Sequence, residues 1–200
     1  MPTQARDRLV ETAENLFYRE GIRAVGVERL LAVSGVGRAS FYRHFTSKDD
    51  LAVTMLRNLG ERWQRWLDER VTARGGEPLA VFDALAERFE STGFRGCAAI
   101  NTMVEAADPT SAVHRAAAKH KEAVIGYLDT LLAAAGHHDH GQLAEQFMLL
   151  IDGATVTALR EGSSEPARQA RAIASVLLTP PNQSPERTPE PATALPVELG

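Results

Sequence analysis

With 200 residues, 44% hydrophobic and 24% charged, the chain has the composition of a soluble folded protein, which excludes a wholly disordered chain and a collagen. No stretch approaches the ~18 apolar residues of a bilayer span and the N-terminus has no secretory h-region, so a cytosolic protein with no membrane role is expected. The single cysteine, Cys97, excludes an internal disulfide, and the net charge of −4 divides unevenly: eleven Arg and Lys against eight Asp and Glu in residues 1–65, a net +3, then eleven against eighteen in residues 66–200, a net −7.

The hydrophobic pattern is helical nearly throughout, and the expected class is all-α. Leu9, Ala13, Leu16 and Phe17 form one apolar face, which Gly21 ends. A short helix follows with Val27, Leu30 and Leu31 inward, broken by Ser34-Gly35-Val36-Gly37. A third runs from about Arg38 to Phe45. Ser47 and Asp50 then have capping-box spacing at the head of a longer helix, whose stripe is Leu51, Met55, Leu59, Trp63 and Trp66 or Leu67.

Residues 73–78 break that helix, and Pro78 suits the first turn of the next, which turns Phe82, Leu85, Ala86 and Phe89 inward. After a break at 92–96, helices are expected over about 97–106, 110–135, 142–161 and 165–178. Gly136-His137-His138-Asp139-His140-Gly141 reads as a loop. The stretch from Pro180 holds six of the ten prolines and is expected to be disordered.

Two short helices around Ser34-Gly35-Val36-Gly37 follow the helix–turn–helix plan, in which the second helix enters a DNA major groove. Gly35 permits the sharp turn, and Val36 fits the corner between the helices. Phe41 and Phe45, four apart, point inward. That leaves Arg38, Ala39, Ser40, Tyr42, Arg43 and His44 outward. Arginine pairs bidentately with guanine, while Tyr42, His44 and Lys48 offer a hydroxyl, a ring N–H and an ammonium to phosphates.

The segment Gly35-Val36-Gly37-Arg38-Ala39-Ser40-Phe41-Tyr42-Arg43-His44-Phe45-Thr46-Ser47-Lys48 resembles the signature of the TetR family of bacterial transcriptional regulators, together with Leu16-Phe17 and Gly21 upstream. The match covers about residues 8–56. A looser similarity to one group of that family's C-terminal domains runs through Gly93-Phe94-Arg95-Gly96-Cys97, Asn101, Glu105, Asp108-Pro109 and Leu149-Leu150-Ile151-Asp152-Gly153. The resemblance implies a three-helix DNA-binding domain over 1–46, a helical effector-binding and dimerisation domain over 47–179, and the Pro-rich tail at 180–200. It implies that Arg38, Ser40, Tyr42 and Arg43 face DNA and that His44 and Lys48 hold phosphates. The chain departs from the family pattern at the second helix, where Val25, Gly26 and Val27 lack the usual hydroxyl, at the acidic Glu28, and at Gly37.

The function expected is a homodimeric repressor, joined through its last two helices and bound to a pseudo-palindromic double-stranded operator. A small lipophilic effector would release it. The pocket candidates are Trp63, Trp66, Met103, Tyr127 and Phe147, with Asn101 and His120 as polar groups. The three histidines of the 137–140 loop are read as exposed rather than as a metal site, and Cys97 lacks a resolving partner. No Walker, zincin or Gly-x-Ser-x-Gly motif is present, so no catalytic residue, metal or cofactor is expected. The alternative is a ligand carrier or enzyme with a vestigial helix–turn–helix, motivated by the missing hydroxyl.

Overall fold

Helical periodicity carries through to the fold. The computed structural model describes residues 2–179, and the expected disordered tail at 180–200 lies outside the described residues. The elements are α1 (Pro2–Glu20), α2 (Val27–Ser34), α3 (Arg38–His44), α4 (Lys48–Thr72), α5 (Ala80–Glu90), α6 (Ala98–Ala106), α7 (Ala112–Ala134), α8 (His140–Glu161) and α9 (Glu165–Leu177), with no strand among the described residues.

The ends of these helices follow from local chemistry. Gly35 stops α2 at φ 63° and donates its N–H to the Leu31 carbonyl at 3.0 Å. Ser47 accepts from the Asp50 amide at 3.1 Å, and the Asp50 carboxylate reaches past the N-cap to accept from the Thr46 amide at 2.9 Å, a variant of the box at the head of α4. Pro78 lies in the turn before α5 rather than inside it. α8 begins at His140, two residues earlier than its periodicity suggests, where His140 Nδ1 meets Asp129 Oδ1 of α7 at 2.5 Å.

Two cores form. Leu9, Ala13, Phe17, Val25, Leu30, Val36, Phe41 and Phe45 bury together with Leu51, Ala52, Met55 and Leu56 of α4, and Ala99, Val113 and Ala117 join them. The second gathers Leu67 and Val71 of α4 with Phe82, Leu85, Leu128, Phe147, Ile151 and Ala167. The buried residues of α4 divide between the two cores, Leu51 to Leu56 on the first and Leu67 and Val71 on the second. A continuous helix of 25 residues, about 38 Å long, belongs to both. It can carry a displacement from one to the other.

Candidate nucleic-acid interface and internal cavity

α3 is amphipathic in the required sense. Phe41 is 0% and Phe45 3% exposed, with their rings 6.0 Å apart, while Arg38, Ala39 and Arg43 are exposed and Tyr42 is 50% exposed. Ser40 is half-buried, and its Oγ accepts from Arg43 Nη2 at 3.1 Å. Val36 fills the corner at 4% exposure, its amide donating to Ser34 Oγ at 3.3 Å. Neither Gly26 nor Gly37 supplies a side-chain cap, so the amides that open α2 and α3 are served by no hydroxyl.

Two of the predicted phosphate ligands are more committed than their spacing suggests. The Lys48 ammonium donates to the Ile22 carbonyl at 2.7 Å and to the Val25 carbonyl at 3.1 Å, which leaves it one N–H. It pins the turn between α1 and α2. His44 is half-buried, and its Nε2 is enclosed without a hydrogen-bond partner among the described residues. That nitrogen meets a phosphate only if the ring turns.

A cavity of about 860 Å³ lies between the two cores. Met55, Leu59 and Trp63, successive turns of one α4 stripe, form one wall, with Leu85, Phe89, Phe94, Met148 and Ile151 opposite. Of the seven pocket candidates, Trp63, Asn101 and His120 line it. Trp66, Met103, Tyr127 and Phe147 do not, each for a geometric reason. Met103 is two residues from Asn101, about 200° around α6, and packs on the N-terminal core. Tyr127 shares a helix face with His120 but lies about 10 Å further along α7. Phe147 is fully buried against Phe82, ring centroids 5.3 Å apart. Trp66 is rotated about 60° from Trp63 and packs on the C-terminal core.

The polar groups of the cavity are specific. His120 stands edge-on to Trp63, ring centroids 5.6 Å apart, against the bare backbone of Gly60, where a Cβ would come within 2.8 Å of Nδ1. Burial first, then the Lys121 charge, lower its pKa to about 4, against an opposing pull from Asp152, so the imidazole is neutral at physiological pH. Lys121 is itself ion-paired with Asp152. Asn101 Nδ2 holds the Arg95 carbonyl at 3.0 Å. Outside the cavity, burial and then Asp68 push the Tyr127 phenol up to about 12.

Sequence reasoning missed Tyr18, Thr102 and Glu105, which also line the cavity. Tyr18 Oη donates to the Gly96 carbonyl at 3.1 Å and accepts the Arg95 amide at 2.7 Å. Asn101 and Glu105, four apart on α6, share a face that periodicity alone makes legible, but which partner they meet depends on packing. The 137–140 segment brings together no group of three or more His, Cys, Asp or Glu able to hold a metal, as holds for all described residues. No helix among the described residues is long and apolar enough to cross a membrane.

Comparison with known proteins agrees with this fold. Residues 9–55 match the family described as bacterial regulatory proteins, tetR family. The chain is 27% identical over 189 residues to the HTH-type transcriptional repressor NemR of Escherichia coli K12, covering 88% of this chain and 94% of that protein. The fold is similar to the crystal structure of SCO4454, a TetR-family transcriptional regulator from Streptomyces coelicolor, with a TM-score of 0.73 at 32% identity over 87% of this chain and 96% of that one. It is also similar to the reduced form of E. coli NemR, with a TM-score of 0.77 at 26% identity over 86% of this chain and 95% of the other.

Proposed function

The chain belongs to the TetR family of bacterial transcriptional regulators, and from that premise we propose that it is a homodimeric repressor released from its operator by a small, largely apolar effector. Family membership makes it a DNA-binding regulator of transcription and not an enzyme; its place of work is the cytoplasm, where its DNA is.

The observation that carries the operator reading is the two-sided character of α3: two phenylalanines sealed inward, and Arg38, Ala39, Tyr42 and Arg43 turned out. A helix held proud in this way fits the major groove, with arginine donors for guanine and Tyr42 for a phosphate. Exposed apolar side chains support the dimer. Leu149 is 75% and Val156 55% exposed on α8, and Ile173 is 52% and Val176 71% exposed on α9, each pair at a spacing that puts it on one face of its helix. Two copies joined there form a four-helix interface with two-fold symmetry. Their recognition helices then reach half-sites ~34–36 Å apart, or a multiple of that spacing.

The effector reading rests on the cavity. Its apolar side, Met55, Leu59 and Trp63 facing Leu85, Phe89, Met148 and Ile151, suits the body of a largely apolar ligand, and the neutral His120, Asn101 and the charged Arg88, Arg95 and Glu105 of the same lining suit its polar groups. Residues of α6 line the same space and grip the reading domain through Glu105, and the loop before α6 does so through the Tyr18 contacts to Gly96 and Arg95. A ligand that moves α6 or tilts α4 changes the separation of the two recognition helices. Such control needs ~1–3 kcal/mol of differential affinity between the two states.

Titration of the purified protein onto its own upstream DNA, with competitor duplex, tests this reading. A specific shift that metabolite extracts release is expected, and Tyr42→Ala weakens it across operator variants. Absence of any specific shift even at low salt would turn the balance to the carrier or enzyme alternative.

A further inference from the structure

We infer that Glu28 is a specificity-determining residue of the DNA interface, acting through Arg38 as a positioning residue for its guanidinium. The inference rests on the operator reading above.

Glu28 lies in the first turn of α2, and Arg38 is the first residue of α3. They are ten residues apart in the chain, yet Arg38 Nη2 donates to Glu28 Oε1 across the helix–turn–helix corner. The other outward arginines near α3 are tied elsewhere: Arg29 pairs with Glu20 of α1 at 3.3 Å, and Arg43 with Ser40 on its own helix. Arg38 is, among the described residues, the arginine whose ion pair joins α2 to α3. Both partners are exposed, Arg38 by 58% and Glu28 by 74% of the side chain, so on the operator reading the pair is open to the duplex.

An acidic group on a DNA-facing surface repels phosphates and needs a compensating use. Here the use is orientation. A free arginine explores many rotamers, and a cation at a helix N-terminus gains nothing from the dipole to hold it there. Glu28 stands at the opening of α2, where a carboxylate is favoured, and supplies the anchor. The guanidinium has enough donors for both tasks. Each terminal nitrogen carries two N–H groups, so one N–H of Nη2 stays on Glu28 while Nη1 and the second N–H of Nη2 remain for the O6 and N7 acceptors of guanine. A guanidinium already ordered loses less freedom on binding, and a rotated alternative contact to a neighbouring base is disfavoured. Glu28 thus sharpens the preference at the base pair Arg38 meets, and at no other.

Selection from a randomised duplex pool, followed by titration of individual duplexes, tests this with wild type, Glu28→Gln, Arg38→Ala and the double variant. Thermal melts confirm that each is folded. Wild type is expected to prefer one base pair at the Arg38 position by about 5- to 150-fold, and Arg38→Ala to lose that preference. Glu28→Gln is expected to lose about three- to tenfold of it at the same base pair, with the profile elsewhere unchanged. Adding Glu28→Gln to Arg38→Ala is expected to alter nothing further there. A Glu28→Gln protein that binds every duplex more tightly with an unchanged profile overturns the inference alone, because the carboxylate then acts only as a long-range charge. A wild type that enriches no sequence overturns it together with the operator reading.

Discussion

The Glu105 carboxylate accepts the Arg23 amide at 2.9 Å, which fastens the last turn of α6 to the turn between α1 and α2. Gly21 lies beneath that contact at φ +92°, and a Cβ there would stand 2.9 Å from Glu105 Oε2. The two demands, a left-handed backbone and a close carboxylate, are met only by glycine.

Gly21→Ala is therefore expected to lower stability by about 1–2 kcal/mol, from backbone strain plus displacement of Glu105. Adding Glu105→Ala relieves the steric part and leaves the strain. Urea denaturation midpoints of the two single variants and the double variant measure both. A midpoint for Gly21→Ala equal to wild type would show that the turn relaxes freely.

Lys48 links stability to DNA binding. Removing its ammonium leaves the Ile22 and Val25 carbonyls without their shared donor, at a cost of about 1–3 kcal/mol. If its remaining N–H serves a phosphate, Lys48→Ala also lowers the slope of log affinity against log salt by about one. Melting temperature and salt-dependent anisotropy separate the two effects. A destabilised variant with an unchanged salt slope would assign Lys48 wholly to the interior.

His120 makes stability depend on pH in a defined window. Its pKa is about 4 in the folded protein against 6.5 unfolded, so the unfolded chain takes up a proton first as pH falls. The contribution is complete above pH 6.5, declines below it, and is gone once pH has passed through about 4, a loss of about 3 kcal/mol at most. His120→Gln should flatten stability between those limits. Denaturation at pH 7 and pH 4.5 checks it, and an equally steep decline in the variant would place the titration elsewhere.

Leu149→Glu puts a charge among the exposed apolar side chains of α8 that the proposed dimer would cover. Sedimentation should show a monomer, and operator affinity should fall by about tenfold or more as two linked half-site contacts become independent. Folding is unaffected because Leu149 is 75% exposed in the single chain. A variant that stays dimeric would move the interface to another surface.

Much of this architecture is written in local pattern. The 3–4 spacing of Leu9, Ala13, Leu16 and Phe17, the Gly35 turn, and the opposed faces of Phe41 and Tyr42 are consequences of helical geometry within a few residues, and spacing reveals them. The cavity is different. Trp63 and Trp66, or Asn101 and Met103, look equivalent in a list of apolar and polar residues, and which of each pair faces the cavity depends on the angle at which α4 and α6 meet their neighbours. Likewise Lys48 and Glu28 carry charges whose nearest partners lie ten to twenty-six residues away in the chain. Spacing sets where a side chain leaves its helix; the packing of one helix on another sets what it finds there.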